Sequence, residues 1–259
     1  MPIHPTAIVA ATARIAADVE IGPYSIIDAQ VEIGSGTRVG PHVVIKGPTR
    51  IGKDNQFAQF ASIGEAPQDK KYRGEPTRLE IGDRNIVREF CTINRGTTHD
   101  QGVTRVGNDN MLLAGAHVAH DCIVGNNCVL SNNTALGGHV HLGDWVTLAA
   151  YSGIHQFCKI GMHAFIANNA AVTIDIPPYV MAVGQPARPH SINTAGLKRR
   201  GFSSLQVRNL RMAYRAVYRL GLKRDAALEL LQARVQDQSE LLPWIEFLTS
   251  GSRRPRGLK

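Results

Sequence analysis

The chain has 259 residues, an aromatic content of only 6% and a formal charge of +8 from 29 Lys and Arg against 21 Asp and Glu. No apolar run approaches the roughly 20 residues of a membrane-spanning helix, and Met1-Pro2-Ile3-His4 leaves no room for a secretory signal, so a soluble cytoplasmic protein is expected. The charge is unevenly placed: residues 1–189 carry 15 basic against 16 acidic side chains, and residues 190–259 carry 14 against 5, so the whole excess lies in the C-terminal quarter.

From Ile3 an aliphatic or aromatic residue returns every sixth position, through Val9, Ile15, Ile21 and Ile27 to Phe57 and Ile63. The beat resumes at Ile81, Val87 and Ile93, and again from Val106 to Val172, giving about 26 hexads. A period of six matches neither the helix nor an alternating strand. It is the signature of a hexapeptide parallel β-helix, in which each hexad supplies a short strand and a turn. Three hexads make a triangular coil, so residues 18 apart stack at the usual strand spacing of about 4.8 Å. The position two before each aliphatic is nearly always small and points inward with it. Cys91, Cys122, Cys128 and Cys158 all fall at that phase, without a CxxC pair, and read as core residues.

Two segments interrupt the beat without losing its phase. Gly64 to Arg78 adds 12 polar, turn-rich residues and Thr97 to Arg105 adds seven. Insertions in a repeat protein lie on the surface, commonly at a binding face, so the loops near 64–80 and 97–105 are candidate active-site loops. The beat ends at Pro177-Pro178-Tyr179, followed by a closing segment at 180–188. Residues 191–200, 203–220, 224–233 and 239–249 carry helical patterning, with Ser203 and Ser239 as N-caps, and 251–259 as a frayed tail. The expected organisation is a β-helix over residues 1–189 and a basic α-helical C-terminal domain over residues 190–259 that covers strand edges.

Histidines gather between residues 117 and 163, and coil arithmetic groups them. Adding 18 to His120 gives Gly138 and then Gln156, and subtracting 18 from His139 gives Asp121. One patch therefore presents His120, Asp121, Gly138, His139, His155 and Gln156. A histidine beside a carboxylate is a general-base arrangement, and a glycine one coil away can offer its N–H to a developing oxyanion. No serine or cysteine nucleophile stands beside them, which favours direct attack by a substrate group. A His-x-x-His pair alone is more often incidental, and surface histidines on turns are ordinary. The stacking with Gly138 and Gln156 brings the functional reading level with that one. A zinc site is the competing reading, since γ-class carbonic anhydrases share this fold; their ligand spacing is not seen here.

The chain resembles the UDP-N-acetylglucosamine 3-O-acyltransferases that begin lipid A biosynthesis in Gram-negative bacteria, nearly from end to end. The most specific matching pieces are Gln59 to Glu65, Gln68 to Thr77, Ala116 to Cys122, His155 to Cys158, Asp175 to Tyr179 and Gly196 to Phe202. The sister N-acyltransferase of that pathway carries a domain before its β-helix, whereas here the hexads begin at Ile3.

The resemblance implies a left-handed β-helix and a homotrimer with active sites between neighbouring β-helices, without metal or dissociable cofactor. His120 would be the base on the sugar 3-hydroxyl, attacking the thioester of an (R)-3-hydroxyacyl-acyl carrier protein. Asp121 would orient it, and the Gly138 N–H would stabilise the oxyanion. Gln68, Asp69, Lys71, His117, His139, His155 and Gln156 match substrate-contacting positions, and Asn193, Arg199 and Arg200 match positions that hold the nucleotide. A basic cap suits both an acidic nucleotide and an acidic carrier protein. Two residues depart from the pattern. Ala195 stands where some members have an acid, and Asn168 stands where a member using a long acyl chain has glycine at the hydrocarbon ruler, which implies a shorter chain here. A γ-class hydratase, a non-catalytic scaffold and a nucleic-acid binder acting through the basic cap are the alternatives; the cap lacks a recognition motif or interleaved aromatics.

Overall fold

The computed structural model describes residues 3–250. Its first two-thirds wind into a left-handed parallel β-helix whose short strands stack into three flat sheets of nine, eight and ten strands. We call these sheets I, II and III in the order the chain first visits them. The chain takes one strand from each sheet per coil, and the inward residue of each strand is the aliphatic of its hexad. Ile27, Ile45, Ile63, Ile93, Val118 and Leu136 succeed one another along sheet I with no more than 1% exposure. From Val19 onward the small residue of each hexad is buried beside them, including all four free cysteines.

Register follows the hexad phase. Val118 pairs with Leu136, 18 residues on, whereas Ile63 pairs with Ile93 and Ile93 with Val118, 30 and 25 residues apart. Those intervals exceed 18 by 12 and by 7, the lengths of the two insertions, so each loop leaves and rejoins the stack without shifting a side chain to the wrong face. Buried asparagines tie the coils together as well: Asn55 Oδ1 accepts from the Asn85 backbone and amide, Asn85 Oδ1 from the Asn110 N–H, and Asn110 Oδ1 from the Cys128 N–H.

Most corners of the triangle turn through a residue with positive φ, and most of these are not glycine. Asp121 (φ 58°), His139 (62°), Trp145 (63°), Phe157 (67°), His163 (59°) and Tyr179 (67°) are among them. The left-handed conformation costs an L-residue roughly 1–2 kcal/mol, so the corner geometry is maintained by the burial and stacking on either side. It also aims these side chains outward in columns along three edges: I–II, II–III and III–I.

Val180–Gly184 and Ala187–Ile192 form an antiparallel hairpin on the last coil of sheet III. Helices follow at α1 (Thr194–Arg199), α2 (Ser204–Tyr218), α3 (Arg224–Gln232) and α4 (Leu242–Thr249). Helical structure therefore begins three residues later than the patterning at 191 suggests, because residues up to Ile192 are held by the hairpin. Ser203 caps α2 in a capping box with Gln206. Ser239 does not cap α4: it opens a 3₁₀ turn, and α4 starts at Leu242 with Pro243 in its first turn and no side-chain cap. The helices bury Leu197, Leu210, Leu231, Trp244 and Leu248 in continuity with the β-helix core. The expected tail at 251–259 lies outside the described residues.

Candidate active site

Edge I–II carries the densest chemistry. His117 projects from sheet I in the strand before this corner, and His120 and Asp121 form the corner itself. One coil on, Gly138 and His139 occupy the same places, and a further coil on, Gln156 and Phe157. The backbone locks these coils in register: the His139 N–H donates to His120 O, and the Phe157 N–H donates to Gly138 O.

His120 Nδ1 lies 2.9 Å from Asp121 Oδ2. The Asp121 side chain is 1% exposed, and its other partners come from the second inserted loop: the Thr97 N–H donates to Oδ1 at 2.9 Å and the Thr97 hydroxyl to Oδ2 at 2.6 Å. The Asp121 N–H donates to Thr104 Oγ1. Burial on its own raises a carboxyl pKa, but the hydrogen bonds from His120 and from the Thr97 hydroxyl and N–H outweigh it and hold Asp121 below the usual carboxylate range. An ionised Asp121 in this setting fixes the ring so that its Nε2 carries the lone pair and faces outward.

Gly138 lies buried directly against that ring. A Cβ at this position would stand 2.6 Å from His120 Cε1 and 2.8 Å from Nε2, so only glycine lets the corner approach so closely. Among the described residues the Gly138 N–H has no protein acceptor. His139 stacks on Phe157 at 4.4 Å between centroids, meets His120 edge-on at 5.2 Å and bonds Asp100 Oδ2 through Nδ1 at 2.8 Å. His117 bonds Thr92 Oγ1 through Nδ1, and burial followed by the neighbouring His120 pushes its pKa down. His155 and Gln156 are exposed on the next coil.

The first inserted loop also approaches this edge. Asp69 is held below the ordinary carboxylate range first by the Lys71 N–H and then by the positive influence of His120. Gln68 and Lys71 are exposed beside it. Arg95 clamps the base of the loop, donating to Gly64 O and Tyr72 Oη.

The remaining predicted site residues stand elsewhere. Asn193 and Arg200 lie at edge II–III, where Asn193 caps α1 at the Gly196 N–H and also donates to His163 O. Arg200 packs over Trp145, and Arg199 is exposed beside it. Asn168 is exposed on edge III–I. Within one chain the structure thus brings together His117, His120, Asp121, Gly138, His139, His155, Gln156 and loop one, and separates them from Asn193, Arg199, Arg200 and Asn168.

Sequence reasoning missed Thr92, Thr97, Asp100 and Thr104. Three of the four fall in the inserted segment at 97–105, so the break in the beat was their signal, but no hexad phase specifies what an insertion touches.

Three groups could in principle hold a cation, since one ligand atom each from His120, Asp121 and His139 lies within 4.8 Å of the others. The donor set is already committed to hydrogen bonds: Asp121 accepts from Thr97 twice and from His120, and His139 is held by Asp100. Cys122 offers no thiolate, because burial pushes its thiol up to about 12. What the edge can do is withdraw a proton at His120 Nε2 and offer an N–H beside it.

Comparison with known proteins places the whole chain in a family. A bacterial transferase hexapeptide profile matches residues 12–47 and 104–138, and one described as UDP-N-acetylglucosamine O-acyltransferase, domain 2, matches residues 175–258. The acyl-(acyl-carrier-protein)–UDP-N-acetylglucosamine O-acyltransferase of Thiobacillus denitrificans is 53% identical over 97% of both chains. Its namesake in Janthinobacterium sp. is 52% identical over 99% of this chain and 98% of its own. The crystal structure of UDP-N-acetylglucosamine O-acyltransferase from Moraxella catarrhalis superposes with a TM-score of 0.96 at 45% identity, covering 98% of each chain. With fold, capping helices and sequence shared at this level over nearly the whole length, the chain belongs to the UDP-N-acetylglucosamine O-acyltransferase family.

Proposed function

We propose that this acyltransferase moves an (R)-3-hydroxyacyl group from acyl carrier protein to the 3-hydroxyl of UDP-N-acetylglucosamine, the opening step of lipid A biosynthesis, with His120 as general base. The observation that carries this reading is the chain Thr97–Asp121–His120 with Gly138 packed against the imidazole. His120 Nε2 takes the proton of the sugar hydroxyl as its oxygen attacks the thioester carbonyl. Asp121 stabilises the imidazolium formed, and the Gly138 N–H receives the oxyanion. When the tetrahedral intermediate collapses, the C–S bond breaks and the proton on His120 passes to the phosphopantetheine sulfur. Each step uses only protein groups and substrates, so neither metal nor dissociable cofactor is required.

The separation of the other matching residues supports a homotrimer. The base stands on edge I–II, Arg199 and Arg200 on edge II–III and Asn168 on edge III–I, so a nucleotide sugar and its acyl donor together reach all of them only where different edges of neighbouring chains meet. The exposed arginines of α2 at positions 208, 211 and 215, with Arg219 at its C-cap, form one stripe suited to an acidic carrier protein. No helix among the described residues is long and apolar enough to cross a membrane, in keeping with work on soluble substrates in the cytoplasm. The test is transfer from 3-hydroxyacyl carrier protein to UDP-N-acetylglucosamine by wild type and His120→Ala. Loss of at least a hundredfold in kcat is expected of a lost general base, whose contribution is roughly 10²–10⁴-fold; full activity in the variant removes His120 from that role.

A further inference from the structure

His163 sits at edge II–III, away from the site built around His120, and is 7% exposed. Its ring lies in a column between Trp145 and Tyr179, with centroids 6.1 and 5.5 Å away and planes within 10° of parallel, and Phe202 closes the side edge-on at 5.2 Å. Every polar connection of the residue is specific. Its N–H donates to Asp144 O, its carbonyl accepts from Asn193 Nδ2, and its Nδ1 lies 3.2 Å from Arg200 Nη1. A guanidinium can only donate, so Nδ1 must be the unprotonated nitrogen and the ring neutral. Burial, followed by the positive Arg200 and opposed by Asp144, pushes the His163 pKa down to about 4, which keeps the ring neutral at ordinary pH.

Arg200 is held from both ends. Its backbone N–H closes the last turn of α1 on the carbonyls of Gly196 and Leu197, and its guanidinium packs 5.2 Å over the Trp145 ring while Nη2 reaches Thr147 Oγ1 at 3.5 Å. The guanidinium of the adjacent, exposed Arg199 has no hydrogen-bond partner among the described residues. Two neighbouring arginines thus differ in kind, one preset against the protein and one exposed to solvent. The contact with His163 uses one of the five donors of Arg200 and fixes the plane of the rest, which suits bidentate capture of phosphate oxygens.

We infer that His163 is a positioning residue: it presets Arg200 for a phosphate of the nucleotide sugar by accepting its hydrogen bond at Nδ1. This rests on the reading of Arg200 as a phosphate ligand. Arginine loses considerable rotamer freedom on being ordered, and a guanidinium already ordered in the free protein does not pay for it at binding.

The experiment measures the Kd for UDP-N-acetylglucosamine by calorimetry, and KM and kcat, on the whole protein. His163→Phe keeps a stacked ring, in the left-handed corner conformation that phenylalanine already adopts at Phe157 on edge I–II, and removes the acceptor. His163→Asn restores an acceptor where Nδ1 stood and tolerates the positive φ. His163→Phe should weaken binding about tenfold, the effect of one lost charged hydrogen bond, with KM rising in step and kcat within about threefold. His163→Asn should bind close to wild type, and His163→Phe combined with Arg200→Ala should bind no worse than Arg200→Ala alone. Should His163→Phe fail to assemble, His163→Tyr, a residue already present at Tyr151 and Tyr179, takes its place. If Arg200→Ala binds as wild type, the phosphate reading of Arg200 falls, and this inference with it. If Arg200→Ala binds weakly but His163→Phe does not, or if the two losses multiply in the double variant, His163 does not act through Arg200 and the inference is overturned.

Discussion

Gly138→Ala isolates the contact on which the site geometry depends. The added methyl would stand 2.6 Å from His120 Cε1, 2.8 Å from Nε2 and 3.2 Å from Nδ1, whereas non-bonded carbons settle at about 3.5 Å or more. The ring must therefore withdraw by about 1 Å. It is free to do so, being 14% exposed and on the surface side, but the 2.9 Å bond to Asp121 does not survive the move. A misplacement of about 1 Å can cost roughly 10²-fold in rate, and loss of the oriented base extends the range to roughly 10⁴-fold. The backbone N–H remains in the variant, so the loss operates through His120 and not through the oxyanion. The assay is steady-state transfer from acyl carrier protein, with thermal unfolding as control. Gly138→Ala should lose at least a hundredfold in kcat while unfolding within a few degrees of wild type. Gly138→Ala/His120→Ala should be no slower than His120→Ala, because the methyl then occupies space the imidazole has vacated. Activity of Gly138→Ala within threefold of wild type, or a double variant far slower than His120→Ala, would refute the steric account.

Thr97→Val removes the hydroxyl that donates to Asp121 at 2.6 Å; kcat should fall about tenfold and stability by about 1–3 kcal/mol, the penalty for an unpaired buried group, both measurable on the same preparation. Because Asp121 is held below its ordinary pKa, its contribution to stability is fully present above the unfolded value near about 4 and is lost as pH falls through the folded value. Denaturant titrations below pH 4 should therefore show wild type losing its advantage over Asp121→Asn, and a constant difference across pH would contradict the ionised assignment. Cys122, with its thiol pushed up to about 12, should resist iodoacetamide in the native protein, and Cys122→Ala should retain turnover; inactivation by the reagent at that cysteine would reopen a nucleophile role. Dialysis against a chelator should leave turnover unchanged, and a loss restored by zinc would instead favour the His120–Asp121–His139 cluster as a metal site. Asn168→Gly should shift preference toward longer acyl donors, as read by a competition assay with defined chain lengths; an unchanged preference separates Asn168 from the ruler role.

Much of the fold was legible because a β-helix converts sequence interval into spatial neighbourhood. The six-residue beat specified the inward aliphatics, the buried cysteines and the stacking of Asp121 with His139 and of His120 with Gly138, since each coil repeats one geometry. It even carried across the insertions, whose lengths reappear as registers of 30 and 25 residues. Side chains that leave the beat were not legible. Thr97 and Asp100 reach Asp121 and His139 from an irregular loop, where no period relates position to direction. Nor does helical patterning distinguish Ser203, which caps, from Ser239, which opens a 3₁₀ turn, because that difference is set by how the chain enters each helix. The slot around Arg200 joins residues from two corners, a strand and a helix end, and emerges only once the cap is seated on the last coils.

The placement of the site along the stack has a thermodynamic consequence. In a solenoid each repeat touches only its neighbours, so disturbances spread by nearest-neighbour steps and fade with distance. The end remote from the helices is open: Ile8 is 65% exposed and Ile3 40%. Fraying should begin there, but a broken coil loses contacts to one neighbour only, and to reach His120 the opening must pass through each intervening coil in turn. On the other side lie a few coils, the hairpin and the helices. The early hexads, which supply no reactive group, therefore act as thermal insulation: hydrogen exchange can run fast at the open end while the distances around Asp121 stay fixed.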